Sequence, residues 1–161
     1  MTTQIKARPT TYKGTKMRSR LEADYAASLD RQGYRWEYEP ECFASEAGQW
    51  LPDFGCTFAD TGPLAIFDEV KPAEPLMKHI PGTPAFIDHA DAVLKRMTIA
   101  WDSRPDACLH LVFWQYGSSI RPYLDLFSIR RGAPWLALFD GQPMETIWLG
   151  MGQYERCREA S

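Results

Sequence analysis

The chain has 161 residues, 45% of them hydrophobic and 13% aromatic, which suits one domain with a real core and excludes a disordered chain. Its net charge of −3 does not by itself point to nucleic acid, but residues 1–20 carry Lys6, Arg8, Lys13, Lys16, Arg18 and Arg20 and no acid, whereas residues 37–69 carry eight acids and no Lys or Arg. A basic arm beside an acidic pocket fits a protein that grips phosphates and concentrates metal ions, the plainer reading being a solvated basic tail.

In chain order, residues 1–14 read as an extended basic arm broken by Pro9 and Gly14, ahead of a single domain over 15–161. The spacing of Met17, Leu21, Tyr25 and Leu29 predicts a helix from Lys16 to Gln32, stopped by Gly33. Tyr34–Phe43 reads as a strand with Pro40 at a bend, and Gln49–Phe58 and Leu64–Lys71 read as a hairpin turning at Asp60-Thr61-Gly62-Pro63. Pro72, Pro75, Pro81 and Pro84 mark a loop, followed by a second helix over Ala85–Trp101 and an apolar strand over Ala107–Tyr116. Beyond a core over 15–116, the extension 117–161 offers weaker strands at Tyr123–Ile129, Trp135–Phe139 and Thr146–Leu149. The order predicts an α/β or α+β domain built on one sheet.

The N-terminus lacks the apolar core of a signal peptide, and no run approaches the ~18 apolar residues of a membrane helix. Cys42, Cys56, Cys108 and Cys157 form no short metal spacing, and three of them sit in apolar strand-like runs, which predicts buried free thiols and a cytoplasmic protein.

The hairpin carries the most informative pattern. Centred on residue 61, it pairs positions whose numbers sum to 122, so Asp53 faces Glu69. Opposed side chains have Cβ atoms about 4.5–5.5 Å apart, and two bare carboxylates there would repel by about 3 kcal/mol at an effective dielectric of roughly 20. A cation between them removes the conflict. Lys71 lies on the face of Glu69, because strand side chains alternate. Asp68 points to the opposite face and reads as structural.

Pro52-Asp53 and Glu69-Val70-Lys71, with the order of elements and Glu22 on the first helix, resemble the PD-(D/E)xK, or restriction-endonuclease-like, nuclease superfamily. Within it the pattern looks most like TnsA-type transposon nucleases and phage-type junction-resolving endonucleases. The resemblance implies an αβββαβ core with a mixed central sheet flanked by helices. It also implies a metal-dependent DNA endonuclease, structure- or partner-directed, with Glu22, Asp53, Glu69 and Lys71 catalytic. Asp53, Glu69, the Val70 carbonyl and Glu22 would bind Mg²⁺, with Mn²⁺ as a substitute. The metal would polarise a phosphoryl oxygen and acidify a water that Lys71 orients. Lys13, Lys16, Arg18 and Arg20 are the expected DNA contacts, with Lys95, Arg96, Arg130 and Arg131 weaker candidates. A homodimer or a targeting partner would fit cleavage of two strands. An end-processing exonuclease and a non-catalytic DNA-binding or assembly protein are the alternatives.

Blander readings stand beside these. Ser19-x-x-Glu22 is also a capping box, although Met17 in the apolar stripe argues that the helix starts earlier. Glu69 and Lys71 could be an exposed strand pair. Glu39 and Glu41 could reach the pocket from the neighbouring strand. His79, His89 and His110 share no ligand spacing; His110 reads as a core histidine, and His79 as a conceivable substrate contact.

Overall fold

A computed structural model describes residues 7–73, 92–117, 122–126, 137–139 and 142–143. Its elements are β1 (Thr10–Tyr12), β2 (Thr15–Met17), α1 (Arg20–Arg31), β3 (Arg35–Tyr38), β4 (Phe43–Ser45), β5 (Gly48–Trp50), β6 (Phe54–Thr57), β7 (Ile66–Pro72), α2 (Ala100–Ser103), β8 (Cys108–Trp114), β9 (Pro122–Asp125), β10 (Ala137–Phe139) and β11 (Gln142–Pro143). Residues 92–97 are also helical. The architecture is mixed α+β around a seven-stranded sheet in the order β11-β10-β9-β8-β7-β6-β3. The sheet is mixed: β7 and β8 run parallel, and the other neighbours antiparallel.

The two faces of the sheet bury two cores. Phe67, Leu109, Leu111, Phe113 and Leu124 pack with Phe43, Trp50, Met97, Ile99 and Ala100 on one side. Phe54, Val70, Val112, Trp114 and Tyr123 pack with Met17, Leu21, Tyr25 and Leu29 on the other. The alternation follows from the pleat, with Phe67, Glu69 and Lys71 on the first face and Asp68 and Val70 on the second.

The hairpin register is as expected: Phe54 pairs with Asp68, Gly55 with Phe67 and Cys56 with Ile66, each pair summing to 122. The expected strand Gln49–Phe58 is split, however. β5 pairs with β4, and β6 joins the large sheet. Leu51-Pro52-Asp53 lies between them, because Pro52 has no N–H to give a ladder and its ring fixes φ. Gly55 is a close approach: a Cβ there would lie 2.6 Å from Leu64 Cδ1 and 2.9 Å from Pro40 Cγ, so only glycine lets the Glu39–Pro40 bend lie against β6.

Two expectations at the N-terminal end are corrected. The helix begins at Arg20, not Lys16, with Ser19 as N-cap and a complete capping box to Glu22. Met17 belongs to β2 and enters the α1 core from a strand, so the regular spacing 17-21-25-29 joins two elements. Nor is the arm simply extended. β1 and β2 form a hairpin turning at Lys13 (φ 45) and Gly14 (φ 80), with Tyr12 Oη donating to Asp30 at 2.6 Å and its ring stacked on Trp36. The C-terminal stop at Gly33 (φ 81) stands as expected.

Cys56 is buried, but Cys42 and Cys108 are exposed thiols, against the expectation of burial. Among the described residues, no helix is long and apolar enough to cross a membrane. Thr146–Leu149, Cys157, His79, His89, Arg130 and Arg131 lie outside the described residues.

Candidate functional site

The Leu51-Pro52-Asp53 link, the middle of β7 and the start of α1 meet at one cleft of about 490 Å³, whose lining includes Arg18, Glu22, Trp50, Asp53, Glu69, Val70, Lys71 and Arg96. Asp53 is held by its backbone and its side chain together. Its N–H donates to the Asp68 carbonyl at 3.0 Å, and its Oδ2 accepts from the Val70 N–H at 2.7 Å. Continuing the register of β6 and β7 sets it opposite Glu69. Both carboxylates are buried, at 3% and 5% exposure.

Cations and one indole surround the pair. Lys71 Nζ lies 2.8 Å from Glu69 Oε1, as expected for two residues on one strand face, and Arg96 Nη2 lies 3.7 Å from the same oxygen. The Trp50 indole N–H donates to Glu69 Oε2 at 2.8 Å. Arg18 Nη2 lies 2.5 Å from Asp53 Oδ1 and 3.5 Å from Glu22 Oε1, and Arg18 Nε lies 3.0 Å from Glu39 Oε1. Glu22 also accepts from Tyr38 Oη at 3.0 Å and from the Ser19 N–H at 3.0 Å. It is therefore both cap and cleft residue, and the two readings of Glu22 do not exclude each other.

The electrostatics follow from this crowding. Burial and then the charge of Glu69 push the Asp53 carboxyl up to about 7, against the Val70 N–H and Lys71, which pull it down. Burial alone would lower the Arg18 guanidinium, but the hydrogen bond it donates to the Tyr38 hydroxyl and the charges of Asp53 and Glu22 outweigh it and push it up. Arg18 offsets only part of the Asp53 penalty, because its side chain is 60% exposed and water screens it.

The expected phosphate contacts disperse. Arg18 alone among the four lines the cleft. Lys13 Nζ pairs with Asp30 at 2.8 Å, near the C-terminal end of α1; Lys16 is on β2 and exposed; Arg20 lies over the Tyr116 ring at 5.7 Å. Glu41 pairs with Arg104 at 3.3 Å instead of reaching the cleft. Glu39 does reach Arg18. It adopts φ 45, a left-handed conformation unusual for a residue with a side chain, and its N–H donates to the Asp53 carbonyl at 3.0 Å.

On the other face of β7, Asp68 is fully buried, accepting from Tyr25 Oη at 2.6 Å with His110 Nδ1 3.4 Å away. Both residues stand where a structural reading puts them. Trp50 and Tyr38 were missed as site residues. Trp50 stands three positions before Asp53, but nothing in the sequence shows that its N–H points at Glu69.

Among the described residues, no group of three or more His, Cys, Asp or Glu side chains is gathered closely enough to hold a metal ion. Mg²⁺ asks for fewer: one or two carboxylates, completed by water and phosphate oxygens. Asp53 and Glu69 fit that demand by donor chemistry, two buried carboxylates facing one cleft. Comparison with protein-family models, with curated proteins and with solved structures finds no match to this chain.

Proposed function

We propose that the protein is a metal-dependent DNA endonuclease with a restriction-endonuclease-like core. One observation carries the reading: two buried carboxylates, Asp53 and Glu69, share a face of the sheet in an open cleft, with Lys71 Nζ 2.8 Å from Glu69. A helix, an antiparallel hairpin and a parallel strand reached by a crossover accompany that pair, in the order the resemblance implies.

In this reading Asp53, Glu69 and the Val70 carbonyl would hold Mg²⁺, with Glu22 beside them. The ion supplies Lewis-acid polarisation of the phosphate and a water of lowered pKa. Lys71 orients the attacking water and stabilises charge on the phosphoryl oxygens as a compact cation. Arg18 binds a phosphate through its guanidinium fork. Trp50 fixes one Glu69 oxygen and so limits rotation of that carboxylate.

The test is incubation with supercoiled, linear, branched and single-stranded DNA in Mg²⁺ or Mn²⁺. Cleavage by the wild type and its loss in Lys71→Ala and Asp53→Asn are expected; equal cleavage by all three sinks the mechanism. Closed circular DNA separates an endonuclease from an end-processing exonuclease. A non-catalytic DNA-binding or assembly protein is favoured by a different observation: Glu22, Glu39, Asp53 and Glu69 each already contact a basic side chain. DNA binding without cleavage under any metal would establish it.

A further inference from the structure

Arg18 contacts three acids at once, and the way it does so is specific. A single nitrogen, Nη2, serves both Asp53 and Glu22, while Nε is taken by Glu39 at 3.0 Å and lies 3.3 Å from Tyr38 Oη. A divalent cation sharing Asp53 and Glu22 would compete for the same oxygens. Glu39 is brought to this position by a strained backbone whose N–H is tied to Asp53, so the anchor for the guanidinium is built in. Most of the Arg18 side chain is exposed, so it can swing away without opening either core.

We infer that Arg18 is a displaceable internal counter-ion of the metal centre: it pairs with Glu22, Glu39 and Asp53 when no metal is bound, and a divalent cation must displace it to reach Asp53. The inference rests on the metal-centre reading above and extends it, since metal affinity is then set by competition with a residue of the chain itself. Arginine suits this role because its planar fork spans several carboxylates and its charge does not titrate away. Lysine would offer one point charge.

The test measures Mn²⁺ binding to the full chain without DNA, by calorimetry or by the electron paramagnetic resonance of free Mn²⁺. Arg18→Gln is expected to bind Mn²⁺ on the order of tenfold more tightly than the wild type, with Arg18→Lys in between. Circular dichroism checks that each variant is folded. Glu39→Gln is an independent probe that leaves Arg18 in place but loosens it, and it too should tighten Mn²⁺ binding. Unchanged or weaker binding by Arg18→Gln, with a wild type that binds and an Asp53→Asn variant that does not, overturns the inference and leaves the metal centre standing. Weaker binding by Glu39→Gln also overturns it, by making Glu39 a ligand. No Mn²⁺ binding by any variant removes both readings.

Discussion

Asp68 and Glu69 are consecutive residues of β7, yet their surroundings have opposite character. Asp68 is sealed between the sheet and α1, where it accepts from the Tyr25 hydroxyl beside His110 and the Cys56 thiol. Glu69 is almost as buried but opens onto a cleft, where long cationic side chains, Lys71 and Arg96, stand against it. Packed side chains with no room to move hold Asp68 in one setting. Lys71 and Arg96 are long side chains rooted at the rim and can leave Glu69 Oε1, while the buried Trp50 indole keeps Oε2 in place. The alternation of one strand thus separates an acid enclosed in the core from an acid that faces the cleft.

The comparison is broken most easily on the side of the cleft. On the proposed mechanism, Lys71→Ala lowers the DNA cleavage rate by roughly 10²–10³-fold while leaving the urea midpoint close to that of the wild type. A large loss of stability instead would make Glu69 and Lys71 a structural pair. Asp68→Ala should do the reverse: it removes the acceptor of the buried Tyr25 hydroxyl and the carboxylate beside His110, costing about 2–4 kcal/mol in urea unfolding, while the folded fraction still cleaves.

Asp53→Asn sharpens the contrast through pH. An acid whose folded value is raised destabilises the fold as it ionises, so the Asp53 penalty grows from about pH 4 and is complete above about pH 7. Asp53→Asn should therefore raise the melting temperature by several degrees at pH 8 and hardly at all at pH 4, by calorimetry. A gain independent of pH would mean that the carboxyl carries no such penalty. The smallest effect is expected at Lys13→Ala. Its partner Asp30 lies away from the cleft, so DNA affinity by anisotropy should not change, whereas Arg18→Ala should weaken it and reduce its salt dependence.

Much of this geometry was legible in the sequence, for a local reason. The hairpin register followed from a short turn, and the register with the pleat decided which side chains share a face. What failed depended on contacts between distant segments. Met17 matched helical spacing because β2 and α1 feed one core, a coincidence that periodicity cannot expose. The basic arm looked uniform in composition, but folding back as a hairpin sends Lys13 to Asp30 and leaves Arg18 at the cleft. Arg96 reaches Glu69 from a helical stretch within the crossover, and no local rule predicts that distance. Glu39 was recognised as able to reach the site, but its left-handed backbone, which directs it, has no signature in a Tyr-Glu-Pro-Glu run.

The parallel pairing of β7 with β8 also orders events during synthesis. Every acid of the cleft lies before residue 70, and β6 and β7 can meet as soon as their short hairpin has emerged. The other edge of β7 waits for residues 108–114. Until the ribosome has delivered them, a strand with charged residues at its centre has one unpaired edge and half of its apolar lining. The long connection makes that closure slow relative to the hairpin. The nascent chain therefore carries the acids of the cleft before it can enclose them, and the buried Asp68 is the group most in need of the late strand, because His110 arrives with β8.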